Sequence, residues 1–168
     1  RAVIVLTWCP GRTLGDLLES GADPYPLGDL MGRAQAALHR PLEDGAVLCH
    51  LDLQPYNVLT ADGAVTGIVD WSNARLDDPR ADIARTRVLL ALGPHLLPGY
   101  AALADAFERG WRDGYTGSRP MPGDEELAPF LAAAAQHQHR DWAERAASGE
   151  CPQSVADATA RIAAQSPR

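Results

Sequence analysis

Between Cys49 and Asp82 the chain carries His50, Asp52 and Asn57 on one short stretch, then a further carboxylate, Asp70. An amide and two carboxylates brought to one spot offer hard oxygen donors. Mg²⁺ prefers such donors and keeps several waters beside them. The residues between them supply a way to converge. Val58 and Leu59, then Val65, Ile68 and Val69, are apolar residues of two short strands, with the turn sequence Ala61-Asp62-Gly63 between. Folding that hairpin returns Asp70 towards Asn57. A plain reading stays open beside this one: an Asx-rich turn around a hairpin, with Asp and Asn only capping backbone groups.

The order His50-x-Asp52-x-x-x-x-Asn57, then Asp70-Trp71, then Asp78-Pro79-x-x-Asp82, resembles the catalytic lobe of the aminoglycoside phosphotransferases. These group with choline kinase and related small-molecule kinases in the protein-kinase-like fold. The protein-kinase set has the same order, with a catalytic-loop Asp and Asn ahead of a metal-binding Asp. The resemblance implies an α+β, mainly helical domain: the C-terminal lobe of a protein-kinase-like fold, with a small β-hairpin carrying the catalytic and metal residues. It further implies Asp52 as the catalytic residue and Asn57 and Asp70 as Mg²⁺ ligands. His50 and Asp82 become structural supports of the loop, Asp82 by binding its backbone. For Asp82 a simple first-turn acid stabilised by the helix dipole is the competing reading. Leu51 stands where the family commonly has Gly, so its side chain has to pack inward. Gln54 stands where Ser/Thr protein kinases carry Lys, which favours the small-molecule branch.

Composition sets the wider limits. The 168 residues are long enough for one domain with a sizeable core; 46% are hydrophobic and 22% charged, as in ordinary globular proteins. A net charge of −7 gives a nucleic-acid role no support and is compatible with a cationic small-molecule partner. The three cysteines lack C-x-x-C spacing and read as reduced thiols of a cytoplasmic protein. No apolar run approaches the roughly 20 residues of a membrane span. Every basic residue is Arg, and the chain has no lysine.

Around the motif, residues 2–7 read as a buried strand, broken by Trp8-Cys9-Pro10-Gly11. Thr13 then reads as the N-cap of a short helix through Leu18. By resemblance this is the linker between two kinase lobes, so Thr7, Trp8 and Cys9 would flank the adenine ring. Residues 1–12 would then be the end of the lobe-linking strand and hinge, and 13–168 the helical catalytic and acceptor-binding lobe. The spacing predicts a loop over 20–26, a helix from Leu27 to about His39, and one after Asp82 ending near Gly93-Pro94. Further helices are predicted over 99–115, 124–147 and 153–165. His39 reads as a helix-end residue favoured by the local dipole.

The function implied is ATP-dependent phosphoryl transfer (or transfer from another nucleoside triphosphate) to a hydroxyl of a small molecule, an aminoglycoside-like, amino-alcohol or sugar acceptor. Asp113, Glu125 and Glu126 are candidates for contact with a cationic acceptor, against the commoner reading of solvated helix faces. The family's nucleotide lobe uses a lysine this chain lacks, so that lobe is expected outside these residues, and this chain alone is expected to be inactive. Two other readings stay open: a non-catalytic kinase-like lobe that binds a metabolite or protein, and a metal-dependent hydrolase using Asp52 and Asp70.

Overall fold

The structure, a computed structural model, describes residues 7–42, 46–96 and 99–165. The strand expected over 2–7 falls outside them except for Thr7. Among the described residues the elements run β1 (Arg12–Thr13), α1 (Leu14–Glu19), α2 (Pro24–Leu38), β2 (Val47–Cys49), β3 (Val58–Ala61), β4 (Ala64–Ile68) and β5 (Arg75–Asp77). Four helices follow: α3 (Pro79–Leu96), α4 (Ala101–Thr116), α5 (Asp124–Ala147) and α6 (Gln153–Gln165). The domain is mainly helical with two small sheets, as the sequence implied.

Local chemistry explains the boundaries. Thr13 caps α1 by accepting from the Asp16 backbone N–H at 3.0 Å, and the Asp16 carboxylate returns to the Thr13 N–H. The loop expected over 20–26 is shorter than the sequence suggested. Asp23 caps α2 by accepting from Tyr25 N–H at 3.1 Å, so Pro24 and Pro26 lie in the first turn, where a helix needs no N–H from them. At its other end α3 runs past Gly93-Pro94 to Leu96. Pro94 lies in its last turn, and Gly93 gives room to the Tyr100 ring, which a Cβ would meet at 2.3 Å.

The hairpin is antiparallel, with Val58 opposite Ile68 and Ala61 opposite Ala64. Asp62 and Gly63 turn it with φ of 52° and 75°, the paired positive values a two-residue hairpin turn requires. β1 adds to the free side of β3, Arg12 opposite Thr60. A second pairing, β2 with β5, sets Cys49 opposite Arg75 and so joins the two ends of the motif region.

One core lies among α1, α2, α3 and α4, built on Leu14, Met31, Ile83, Phe107 and Trp111. Two glycine pairs let α2 and α4 touch backbone to backbone. A Cβ on Gly28 would meet the Phe107 carbonyl oxygen at 2.1 Å, and one on Gly110 the Tyr25 oxygen at the same distance; Gly32 and Gly114 are equally tight. A smaller core of Ala84, Val88, Ala134 and Ala135 seats α5 on α3.

Candidate active site

The loop from His50 to Asn57 is fixed from beneath. The Leu51 N–H donates to Asp82 Oδ1 at 2.5 Å, and Arg85 Nε donates to the Leu51 carbonyl at 3.0 Å. Leu51 is buried beside Val47, Cys49 and Ala81, so its side chain does pack inward. Its φ is +62°, a conformation that glycine adopts at no cost and a bulky residue rarely adopts. Glycine at this position, the family's common choice, is therefore accounted for by the backbone itself.

Asp82 is fully buried in the first turn of α3. Its Oδ2 receives Gln35 Nε2 at 3.0 Å and His39 Nε2 at 2.9 Å. Burial pushes its carboxyl up, but the bonds from His39, Gln35 and Leu51 outweigh that and hold it below the ordinary range. His39 does end α2, as its C-cap, but its side chain has specific partners beyond the helix dipole. Its ring is buried between Asp82 and the Tyr115 hydroxyl, 2.9 Å from Nδ1. Gln35 also meets Thr86 and the Trp111 indole, which closes a buried polar network under the loop. His50 Nε2 lies 2.9 Å from the Val69 carbonyl and its ring packs on Trp71, centroids 4.8 Å apart.

On the upper side the structure brings Asp52, Asn57 and Asp70 together. Asn57 Nδ2 donates to the Asp52 carbonyl at 2.8 Å and to its carboxylate at 3.4 Å. The Val69 N–H donates to the Asn57 carbonyl at 2.9 Å, so the residue before Asp70 is tied to Asn57. Asp70 itself is exposed, at φ +60°, and accepts from Ser72 Oγ at 2.7 Å. Burial raises the Asp52 carboxyl above its usual range; Arg85 pulls it down, the Asp70 charge pushes it up, and His50 and Asn57 pull it down again. With the Asn57 nitrogen committed to Asp52, its Oδ1 is the end left for another partner. An amide oxygen with two mutually repelling carboxylates suits Mg²⁺. Among the described residues no group of three His, Cys, Asp or Glu could hold a metal. The donor set therefore fits an ion that is shared with a phosphate and water, not one caged by protein.

Of the residues expected to flank an adenine ring, Cys9 lies against the hairpin, followed there by Pro10. A Cβ on Gly67 would meet Cys9 Sγ at 2.4 Å, and Thr66 Oγ1 donates to the Pro10 carbonyl at 2.5 Å. Trp8 is 86% exposed and Thr7 is exposed. The three acids expected near the acceptor sit apart: Asp113 accepts from the Tyr25 hydroxyl at 2.8 Å, Glu126 accepts from the Gly123 N–H at 3.0 Å, and Glu125 is exposed.

None of those acids lines the cavity of about 510 Å³ that opens beside the loop at Gln54, Pro55 and Tyr56. Leu18, Leu90, Tyr100, Leu103 and Trp142 give it apolar walls, with Glu19 and Arg145 as its charged residues. Glu19 accepts from the Tyr56 hydroxyl at 2.5 Å. The Trp142 indole nitrogen is buried with no acceptor among the described residues. Only apolar spacing in the sequence touches these residues, and helical cores leave the same trace. The residues that sequence reasoning missed, Gln35, Arg85 and Tyr56, act across the fold and leave no local pattern.

No curated protein matches the chain. Among solved structures, the aminoglycoside phosphotransferase APH(4)-Ia is similar at 20% identity and a TM-score of 0.46, over 90% of this chain and 51% of that one. A thermostable mutant of APH(4)-Ia in its apo form is also 20% identical, with a TM-score of 0.46 over 89% of this chain and 46% of that one. The chain spans about half the length of the solved structures it matches. The model of the phosphotransferase enzyme family matches residues 40–130, just over half of the chain. That match contains every residue from His50 to Asp82, and the chain belongs to the phosphotransferase enzyme family.

Proposed function

We propose that the chain is the catalytic and acceptor-binding lobe of an ATP-dependent small-molecule O-phosphotransferase. The observation that carries this reading is Asn57, whose amide nitrogen grips Asp52 while the hairpin returns Asp70 to the same mouth. Asp52 accepts the hydrogen bond of the acceptor hydroxyl, aligns its oxygen on the γ-phosphorus and takes its proton as the new P–O bond forms and ADP leaves. A carboxyl raised by burial is the better base for that step. Asn57 Oδ1 and Asp70 would hold Mg²⁺, which when bound would supply charge neutralisation for the phosphate oxygens. Thr7, Trp8 and Cys9 flank the adenine ring. Residues 1–12 serve as hinge and 13–168 as the helical lobe. The phosphate-contacting lysine comes from a nucleotide lobe outside these residues, because this chain contains none.

The acceptor's body occupies the cavity beside Tyr56. Its walls favour an alcohol with a large apolar surface, and the buried Trp142 N–H offers one of its oxygens a hydrogen bond. Asp113, Glu125 and Glu126 lie outside this cavity and would meet only a cationic extension of the acceptor.

Calorimetric titration with ATP, with and without Mg²⁺, tests the assignment. Mg²⁺-dependent binding that Asp70→Ala and Asn57→Ala each weaken by about tenfold or more supports it. Binding indifferent to Mg²⁺ and to both substitutions overturns it. Steady ATP-dependent turnover by this polypeptide alone would overturn the assignment of the nucleotide lobe to another segment.

A further inference from the structure

A second cleft, of about 260 Å³, opens where β5, α3 and α5 meet. It includes none of Asp52, Asn57 and Asp70 and none of the cavity beside Tyr56. Its charged lining is wholly basic: Arg75, Arg85, Arg140 and His137, with no carboxylate among them. In a chain of net charge −7, three of fifteen arginines gather at one cleft against the sign of the whole molecule. Some of this charge is answered nearby, since Arg75 pairs with Asp77 at 2.8 Å and His137 with Asp141 at 3.5 Å. Arg140 is exposed and has no carboxylate partner among the described residues.

Arg85 is the telling member. It is 9% exposed, its Nε is spent on the Leu51 carbonyl, and its Nη1 is buried with no acceptor among the described residues. Buried donors nearly always have partners, and a buried guanidinium missing one does not recover what desolvation costs it. Burial accordingly drags the Arg85 pKa down; Asp52 and Asp141 oppose that, Arg75 adds to it, and Asp82 opposes it.

We propose that this cleft binds a phosphate-sized oxyanion, free phosphate or the phosphoryl group of a monoester, held between the guanidinium groups of Arg75, Arg85 and Arg140. Planar guanidinium forks match the oxygens of a tetrahedral anion, and a dianion compensates the charge that the protein leaves unpaired there. The cleft is larger than one such ion. Phe130, Ala133 and Ala134 form an apolar wall on which the body of a monoester can lie. Because Arg85 holds the Leu51 carbonyl, an anion in the cleft also tightens the residue next to Asp52. The site includes none of Asp52, Asn57 and Asp70, although Leu51 and Arg85 border both, and its test needs neither nucleotide nor turnover.

The test is thermal shift and calorimetry of the purified protein with sodium phosphate, against sodium chloride at matched ionic strength. Phosphate is expected to raise Tm saturably where chloride does not. Arg140→Gln, at an exposed position that leaves the core intact, is expected to weaken phosphate binding about tenfold. Arg145→Gln, at the rim of the other cavity, is expected to leave it unchanged. Phenyl phosphate binding more tightly than inorganic phosphate assigns the site to a monoester, and equal affinity assigns it to the free ion. A Tm that responds to phosphate no more than to chloride overturns the proposal. So does a loss of affinity as large in Arg145→Gln as in Arg140→Gln.

Discussion

The two faces of the His50–Asn57 loop follow opposite rules. Beneath it, Asp82, His39, Gln35, Thr86, Tyr115 and Trp111 are buried, and every one is bonded to another member. Above it, burial and the Asp70 charge raise the Asp52 carboxyl, and Asp70 sits exposed in a left-handed conformation. The lower face resembles a closed circuit in which removing a member strands its neighbours. The upper face is left incomplete, as the proposed binding of an ion and a phosphate there would require. Substitutions below should therefore act on stability, and substitutions above should act on binding.

The largest effect is expected for Asp82→Ala. It strands the Leu51 N–H, Gln35 Nε2 and His39 together, and breaking a buried charged network by removing one partner costs about 3–5 kcal/mol. For a chain of this length each kcal/mol moves Tm by about 2–4 °C, so the variant should melt about 6–20 °C below the wild type. The same residue sets an acid limb. Its folded carboxyl titrates below the ordinary 3.8, so the folded state binds fewer protons than the unfolded. The stability this gives is present above that value and is lost as pH falls through the depressed pKa. Asp82→Asn should flatten that limb in melting curves taken between pH 5 and about 2. An unchanged limb would assign acid unfolding to other carboxylates.

An intermediate effect belongs to the residue that joins the faces. Leu51→Gly relieves a positive φ worth about 1–2 kcal/mol but withdraws a buried leucine worth about 1.5–3 kcal/mol. The net loss should be roughly 1 kcal/mol, read in denaturant melts, with the backbone N–H bond to Asp82 and the bond from Arg85 retained. A loss near that of Asp82→Ala would mean that the leucine side chain, and not the backbone bonds, anchors the loop.

The same contrast decides what could be read from the sequence. The hairpin and the convergence of Asn57 with Asp70 follow from apolar residues in a fixed order joined by a short turn, whereas the bond of the Leu51 N–H to Asp82 was implied only by the family resemblance, beside the plain reading of a first-turn acid. His39 was read as a helix-end residue because its partners, Asp82 and Tyr115, lie 43 and 76 positions away. Periodicity within one helix does not reach that far. The glycine pairs of α2 and α4 were invisible for a related reason. Gly28 and Gly32 look only like weak points of a helix until Gly110 and Gly114 stand opposite them. The start of α2 lies earlier than its apolar spacing suggests because Pro24 and Pro26 fall in the first turn, where proline is tolerated, while α3 runs two residues beyond Pro94.

The smallest effect on stability, and the one of opposite sign, is expected at Asp52. Its folded carboxyl is raised by burial in the first place and by Asp70 in addition. The folded state therefore binds more protons there than the unfolded one. Any stability from this group is present below its unfolded pKa and is lost as pH rises through the folded value, so at neutral pH the ionised carboxylate is a burden. Asp52→Asn removes the charge and keeps an acceptor for Asn57, and should raise Tm by about 1–3 °C at pH 7 while leaving it unchanged near pH 3. On the proposed mechanism the same substitution, made in the protein that also carries the nucleotide lobe, lowers phosphoryl transfer by about 10²- to 10⁴-fold with nucleotide affinity intact. A variant that loses stability at pH 7 would mean that Arg85 leans on Asp52 as a partner. The loop's upper face would then be part of the closed circuit beneath it.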